Sequence, residues 1–151
     1  VLFFILYILE ENVPSFNAVM KRGGFDTVLA DVPCSGSGTW RHNPDGKLFF
    51  NPERLAGLTD IQQTMLSVVA PSVRPGGTLV YSTCSFFCEE NEEVVGKFLD
   101  GHKEFRLDPI GEVLPREYHL FIKDGYLKTF PPRDGMDGFF VARLIKDREI
   151  G

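Results

Sequence analysis

The chain has 151 residues, of which 43% are hydrophobic and 25% charged, and its formal net charge at pH 7 is −5. This composition is typical of a globular domain and supplies enough apolar residues for one hydrophobic core. The negative net charge excludes a protein that holds nucleic acid by bulk positive charge alone, although a local basic surface remains compatible with it.

The apolar opening "VLFFILYIL" covers nine residues and has no basic residue before it. It is too short to span a bilayer and lacks the layout of a signal peptide, so we expect a buried strand or helix. Because the sequence begins at Val1 rather than methionine, we expect the chain to be a fragment. We divide it into residues 1–24 (an apolar segment and linker), residues 25–146 (an α/β unit) and residues 147–151 (a tail).

The first predicted strand is "FDTVLAD", Phe25–Asp31, whose nearly continuous apolar run is typical of a strand buried on both faces. The next stretch, "VPCSGSGTWRHNPDGK", is rich in Gly, Ser and Pro and predicts a long loop. A second buried strand is predicted at "TLVYST", Thr78–Thr83.

A helix is predicted between these strands, with Asn51 as its N-cap, Pro52 in its first turn and Pro71 at its end. Its apolar face is predicted from residues at helical spacing: Leu58, Ile61, Met65, Val68 and Val69. A second helix is predicted at "EENEEVVGKFL". The glutamates of its first turn favour the positive end of the helix dipole: Glu89, Glu90, Glu92 and Glu93.

Near the end, "GYLKTFP" and "DGFFVARLIK" flank the turn-rich "PRDGM" and predict an antiparallel hairpin, with Phe139 and Phe140 as core residues. The order of elements is therefore strand, helix, strand, helix and strand pair. This order predicts an α/β fold whose sheet is mostly parallel with an antiparallel edge.

Two of the three cysteines follow the two predicted parallel strands, Cys34 after the first and Cys84 after the second. Ligands of such sheets bind beyond the carboxyl ends of the strands. If the two strands are adjacent, both thiols can face one pocket alongside Asp31. A single cysteine is more often a small buried residue, but two at one edge, each in a loop of small polar residues, indicate a functional site.

Other kinds of site fit this sequence poorly. A cysteine phosphatase loop needs an arginine six positions after the cysteine, where this chain has Trp40. The G-x-G-x-x-G dinucleotide loop and the G-x-S-x-G elbow are both absent around Cys34. The cysteines and histidines show no metal-ligand spacing, so we predict no metal site. The low, odd number of cysteines favours a reducing cytoplasm.

The motif "DVPCSGSGTWRHNPD", followed about fifty residues later by "GGTLVYSTCSFFCEEN", resembles the RNA (cytosine-5) methyltransferases of the Sun/RsmB type. The closing "LKTFPPRDGMDGFFVARL" resembles the terminal hairpin of the same family. The resemblance covers residues 25–146. It implies the carboxyl-terminal half of the catalytic domain, with a partial Rossmann-like class I methyltransferase fold.

The resemblance also implies methyl transfer from S-adenosylmethionine to C5 of a cytosine in rRNA or tRNA, by a cytoplasmic enzyme without metal or membrane attachment. Cys84 would be the nucleophile that adds to C6, and Cys34 would assist breakdown of the adduct. Asp31 would orient or protonate the cytosine and contact the cofactor. Pro33 would shape the loop at the edge of the cofactor.

Four residues of the long loop have two interpretations each. Arg41, His42 and Lys47 either contact RNA phosphates or form a solvated loop, and the solvated loop is favoured. Trp40 either stacks on a base or packs against the protein. The sequence leaves that choice open.

The residues around the second cysteine have similar alternatives. Thr83 and Ser85 either hydrogen-bond their own loop or contact RNA. Asn91, by resemblance, braces the nucleophile loop. We interpret Cys88 as a bystander, with redox pairing to Cys84 as a minor alternative.

Nothing before Phe25 matches the glycine-rich loop and acidic residue with which complete enzymes of this family grip the cofactor. A second hypothesis is therefore a non-catalytic α/β fragment that lacks the cofactor-binding half. A third is a methyltransferase acting on DNA or an amino group. Because amino-group enzymes need no thiol, this last hypothesis leaves the paired cysteines unexplained.

Overall fold

The computed structural model describes residues 14–48 and 50–148. The predictions for the apolar opening and for the last three residues of the tail lie outside these ranges. Within them, no helix is both long enough and apolar enough to cross a membrane.

The described helices and strands follow the predicted order, with additional short elements. The helices are α1 (Pro14–Lys21), α2 (Asp45–Leu48), α3 (Pro52–Val69), α4 (Glu92–Gly101) and α5 (Pro131–Asp134). The strands are β1 (Phe25–Asp31), β2 (Val73–Thr83), β3 (Phe105–Leu107), β4 (Ile122–Lys123), β5 (Tyr126–Lys128) and β6 (Phe140–Lys146). Single 3-10 turns lie at Ser37–Thr39, Ala70–Ser72 and Ile110–Glu112, and a longer one at Arg116–Phe121.

The described strands form one sheet with the order β1-β2-β6-β5-β4, and β3 also pairs with β6. β1 and β2 are parallel neighbours, with Asp31 opposite Ser82, and the other pairs are antiparallel. The predicted α/β class, with adjacent parallel strands and a terminal antiparallel hairpin, is confirmed, but among the described strand pairs only β1–β2 is parallel, so the antiparallel part is more than an edge. The antiparallel part is larger than predicted because β3 pairs with β6 and because a two-residue turn joins β4 to β5. Its residues, Asp124 and Gly125, both have positive φ, as tight hairpins require.

Strand β2 begins at Val73, earlier than the predicted start at Thr78. Its first part pairs irregularly with β1, because Phe25 pairs with Val73 whereas Thr27 already pairs with Thr78. A Cβ on Gly77 would lie 3.0 Å from the Phe25 carbonyl oxygen, so the strands approach closely there. The Pro-Gly-Gly sequence that suggests a turn therefore forms a bulge within the strand.

The ends of α3 agree with the prediction, but its buried face does not. The Asn51 side chain caps the helix by accepting a hydrogen bond from the Glu53 amide at 2.9 Å, and the helix ends just before the 3-10 turn that contains Pro71. Ile61 and Val68 were predicted to be buried, but they are 48% and 52% exposed. The buried positions are Gln62, Leu66 and Val69. The apolar pattern predicted Val69 correctly but not the rest of the face, because a polar residue, Gln62, is among the buried positions.

The hydrophobic core joins β1, β2 and β6 to α3 and α4. Phe140 is buried as predicted, whereas the prediction for Phe139 is wrong, because its side chain is 46% exposed. Phe139 precedes β6, and consecutive residues along extended chain point to opposite faces. Fully buried members of the core include Leu66, Leu79, Val95, Phe98 and Leu144.

The buried face of α3 predicts that two truncations in this helix lower the free energy of unfolding by different amounts. Leu66→Ala removes a fully buried side chain and should lower the free energy of unfolding by about 2–5 kcal/mol. Ile61→Ala, on the exposed face, should change it by about 0.5 kcal/mol or less. Urea denaturation measures both values, and similar costs for the two variants would contradict the assignment of the buried face.

Candidate active site

The two cysteines meet at the carboxyl edge of the parallel pair. We call residues 32–38, which follow β1, the first cysteine loop, and residues 84–91, which follow β2, the second cysteine loop. The Sγ atoms of Cys34 and Cys84 lie 3.3 Å apart, and both side chains are partly buried. The Gly38 amide donates a hydrogen bond to the Cys84 carbonyl at 2.9 Å. The two thiols therefore meet at this edge, as expected for loops that follow adjacent parallel strands.

A buried carboxylate, Glu90, connects the two loops. Its side chain is fully buried, and it accepts hydrogen bonds from the Ser35 amide at 2.8 Å and the Ser35 hydroxyl at 2.6 Å. Gln62 of α3 donates to the same carboxylate at 3.0 Å and to the Pro33 carbonyl at 2.9 Å. The Tyr81 hydroxyl donates to the Glu90 backbone carbonyl at 2.6 Å. This carboxylate thus fixes the residues on both sides of Cys34.

Neither Glu90 nor Gln62 was predicted from the sequence to be a residue of the site. Glu90 was assigned to the first turn of a helix, but α4 begins at Glu92, so Glu89 and Glu90 lie in the turn before it. Gln62 is a polar residue within a run of apolar helical positions, and that interruption was the available signal. A buried glutamine and a buried glutamate each need partners, and here each is a partner of the other.

Small hydroxyl side chains add a second connection between the loops. The Ser85 hydroxyl is hydrogen-bonded to those of Ser37 at 3.0 Å and Ser35 at 3.3 Å. The Ser37 hydroxyl accepts a hydrogen bond from the Phe86 amide at 3.0 Å. Each of these serines therefore orients backbone that carries a cysteine.

The Asn91 side chain braces the second cysteine loop through two hydrogen bonds. It accepts a hydrogen bond from the Thr83 hydroxyl at 2.6 Å and donates one to the Ser85 carbonyl at 3.0 Å. These contacts agree with the bracing role that the resemblance implies. Thr83 and Ser85 hydrogen-bond within their own loop, as one of the two interpretations predicted.

The thiols of Cys34 and Cys84, which we call the sulfur pair, differ in pKa. The hydrogen bond between the two sulfur atoms lowers the pKa of Cys84 from 9.0 to about 7. Burial and the charges of Asp31 and Glu90 oppose this effect. The same hydrogen bond, together with burial, raises the pKa of Cys34. Cys84 is therefore the more acidic thiol of the pair, and Cys34 the less acidic one.

Asp31 and Pro33 lie at the carboxyl end of β1, next to the first cysteine loop or within it. Asp31 ends β1 and is exposed, and one of its oxygens accepts a hydrogen bond from the Ser82 hydroxyl at 2.8 Å. Its other oxygen accepts none from the described residues. Pro33 is exposed, and its carbonyl is held by Gln62. A free carboxylate oxygen at the carboxyl end of a parallel strand fits a polar ligand there.

The polar residues that follow the first cysteine loop contact the chain near its end. Arg41 donates to the Gly135 carbonyl, and His42 lies 3.4 Å from the Asp137 carboxylate. Lys47 is exposed. Gly38 packs so closely on Gly138 that a Cβ would lie 2.1 Å from the Gly138 carbonyl oxygen. Arg41 and His42 thus help to hold the C-terminal segment against the site.

Aromatic residues surround Trp40. Its ring makes edge contacts with Phe50, Phe86 and Phe87 at centroid distances of 5.6–5.9 Å. Trp40 therefore packs against the protein, as one of its two interpretations predicted. Cys88 is exposed, and its sulfur lies 3.4 Å from the Glu89 carboxylate, which raises its pKa.

The described part of the chain contains no group of three or more His, Cys, Asp or Glu side chains arranged to hold a metal ion. The polar groups of the pocket are instead the sulfur pair, the Asp31 carboxylate and the serine hydroxyls. Together they offer one nucleophile at neutral pH, one neighbouring thiol and one hydrogen-bond acceptor.

The sulfur pair predicts a specific effect of pH on alkylation. The rate at which iodoacetamide alkylates Cys84 should rise with a midpoint near pH 7, because the thiolate is the reactive form. Cys34→Ala removes the donor and should move the midpoint up toward 9. At pH 7 the thiolate fraction would fall from roughly one half to roughly one in a hundred.

Cys34→Ser is the matched control for this experiment, because a hydroxyl can still donate a hydrogen bond. Its midpoint should lie between those of the wild type and Cys34→Ala. Peptide mapping separates alkylation of Cys84 from that of the exposed Cys88. A midpoint unchanged in Cys34→Ala would contradict the assignment of the thiolate.

Comparison with known proteins identifies the family. The family model of the 16S rRNA methyltransferase RsmB/F matches residues 5–145. The chain is 42% identical to the probable ribosomal RNA small subunit methyltransferase B of Bacillus subtilis (strain 168), over 81% of this chain and 28% of that protein. It is 34% identical to the ribosomal RNA small subunit methyltransferase F of Serratia proteamaculans (strain 568), over 89% of this chain and 28% of that protein.

The fold has counterparts among solved structures. The protein PH0851 superposes with a TM-score of 0.72 at 38% identity, covering 80% of this chain and 26% of that one. The chain spans about a quarter of the length of the relatives that it matches. These matches confirm the resemblance read from the two cysteine motifs and the terminal hairpin: the chain belongs to the 16S rRNA methyltransferase RsmB/F family.

Proposed function

We propose that this protein is part of an S-adenosylmethionine-dependent methyltransferase that modifies C5 of a cytosine in ribosomal RNA through a covalent adduct on Cys84. The observation that carries the proposal is the pair of sulfur atoms 3.3 Å apart, of which Cys84 is the more acidic. A cytosine C5 atom is too weak a nucleophile to accept a methyl group directly. A thiolate next to the ring overcomes this limitation.

Cys84 acts first. Its thiolate adds to C6, so that an S–C6 bond forms and the C5–C6 double bond opens, with its electrons delocalised toward C5, N3 and O2. C5 then has the character of an enamine carbon. The hydrogen bond with Cys34 favours this step, because it lowers the pKa of Cys84 and so raises the fraction of thiolate at neutral pH.

Asp31 positions the base during this addition. Its free carboxylate oxygen can accept a hydrogen bond from the exocyclic amine or from a protonated N3, and the hydrogen bond from Ser82 fixes its other oxygen. Asp31 and Pro33 would also hold one edge of S-adenosylmethionine at the end of β1. When bound, this cofactor supplies the methyl group that C5 accepts.

Cys34 acts last. The main reason for its high pKa is the hydrogen bond to the Cys84 thiolate, and that reason disappears once Cys84 is a thioether. Cys34 can then lose its proton to solvent and take the C5 proton as a thiolate. The electrons of the C5–H bond restore the C5–C6 double bond, the S–C6 bond breaks, and Cys84 leaves as a thiolate.

The relatives favour ribosomal RNA over tRNA as the substrate, because their names specify the small ribosomal subunit. The three free cysteines favour a cytoplasmic location. The rival hypothesis, a non-catalytic α/β fragment, makes no use of the sulfur pair and of the buried carboxylate that aligns it.

A mechanism-based adduct tests the proposal. The intact enzyme that carries this chain should form a covalent complex with small-subunit ribosomal RNA containing 5-azacytosine, visible as a shifted band on a denaturing gel. Cys84→Ala should abolish the complex. Cys34→Ala should accumulate a complex with ordinary RNA, because release of the product then fails.

Cys88→Ala provides the control, because this exposed cysteine lies outside the sulfur pair. Its complex should form as in the wild type. A complex that persists in Cys84→Ala would contradict the assignment of the nucleophile. A wild-type enzyme that forms no complex and transfers no methyl group from S-adenosylmethionine would favour the non-catalytic hypothesis.

A further inference from the structure

A cavity of about 150 Å³ lies beside the first cysteine loop. Cys34 and Ser35 form one wall of this cavity. The opposite wall comes from α2, from the segment between the helices and from the first turns of α3: Gly46, Phe50, Asn51, Arg54, Leu55 and Leu58. The cavity adjoins the sulfur pair through Cys34, and apart from Cys34 the steps proposed above use none of its lining residues.

The lining combines apolar walls with a single charged side chain. Phe50, Leu55 and Leu58 supply the apolar surface, and Arg54 is the cation. Among the described residues, no carboxylate lines the cavity, and the Arg54 guanidinium makes no hydrogen bond or ion pair. Arg41, which follows the first cysteine loop, differs in this respect, because it donates a hydrogen bond to a backbone carbonyl.

Asn51 adds a second donor. Its amide oxygen is used in capping α3, where it accepts a hydrogen bond from the Glu53 amide. Its amide nitrogen has no partner among the described residues. An unpaired guanidinium and an amide N–H group next to apolar walls match a ligand that has an anionic group joined to a planar or sugar ring.

We propose that this cavity binds the RNA nucleotide adjacent to the target cytosine, with Arg54 on its phosphate and Phe50 against its base or ribose. The inference rests on the proposed function, because the cytosine that reacts with Cys84 places its neighbour within reach of the wall formed by Cys34 and Ser35. In a chain with a net charge of −5, an unpaired arginine in the cavity next to Cys34 provides local attraction for the RNA backbone.

Equilibrium binding tests this assignment in the intact enzyme. The probe is a single-stranded RNA oligonucleotide with one cytosine, and binding is followed by fluorescence anisotropy at several salt concentrations. Arg54→Ala should weaken binding roughly tenfold, as expected for loss of a charge-assisted contact. It should also reduce the slope of log K against log salt by about 0.7, the value for one phosphate contact on a single strand.

Two variants serve as controls. Arg54→Lys keeps the charge and should retain most of the salt slope while losing part of the affinity, because lysine cannot make the bidentate contact. Arg22→Ala removes another exposed arginine, which precedes the amino end of β1, the end opposite to the one that leads to Cys34. It should leave affinity and slope close to the wild-type values.

Replacing single phosphates by neutral analogues locates the phosphate that Arg54 contacts. In a series of oligonucleotides that each carry one methylphosphonate, one position adjacent to the cytosine should weaken binding to the wild type but not to Arg54→Ala. The inference is overturned if Arg54→Ala binds no worse than Arg22→Ala, or if no position distinguishes the wild type from Arg54→Ala. Because binding needs no turnover, an enzyme that binds in this way but forms no adduct contradicts the proposed reaction alone.

Discussion

The Glu90 carboxylate is the contact on which the arrangement of the site depends. It is fully buried, and it holds the residue after Cys34 through both the amide and the hydroxyl of Ser35. Burial of a charge costs several kcal/mol unless hydrogen bonds replace the lost water. Here Gln62 and Ser35 supply those hydrogen bonds, each worth roughly 1.5–3 kcal/mol when the acceptor is charged. These hydrogen bonds replace the water that the Glu90 carboxylate loses on burial. They also connect the two cysteine loops to α3.

This connection determines the chemistry of the sulfur atoms, although Glu90 touches neither of them. The Cys34 thiol acts on the pKa of Cys84 mainly through a hydrogen bond, so the effect depends on how the two loops are aligned. The serine hydroxyls and the Asn91 brace act in the same direction on the second cysteine loop. The negative charges of Asp31 and Glu90 oppose formation of the Cys84 thiolate, so the hydrogen bond from Cys34 has to outweigh them.

Much of the fold could be predicted because it depends on local patterns. The strand Phe25–Asp31, the Asn51 cap and the terminal hairpin follow from apolar runs, capping and turn residues. The meeting of Cys34 and Cys84 followed from the rule that parallel strands end at one edge. The prediction of the buried face of α3 failed because that face depends on contacts between distant segments. Gln62 is buried because Glu90 lies opposite it, 28 positions away, and no periodicity in the sequence reveals this.

The central claim is that Glu90 controls the pKa of Cys84 by alignment rather than by charge, and Glu90→Gln separates the two effects. Removal of a nearby negative charge by itself should lower the pKa of Cys84, because the Glu90 charge raises it. Loss of alignment should instead raise it from about 7 toward 9, because the hydrogen bond from Cys34 weakens. The measurement is the pH profile of Cys84 alkylation, with the exposed Glu89→Gln as control. A higher midpoint in Glu90→Gln is the predicted result, and an unchanged or lower one would contradict the account.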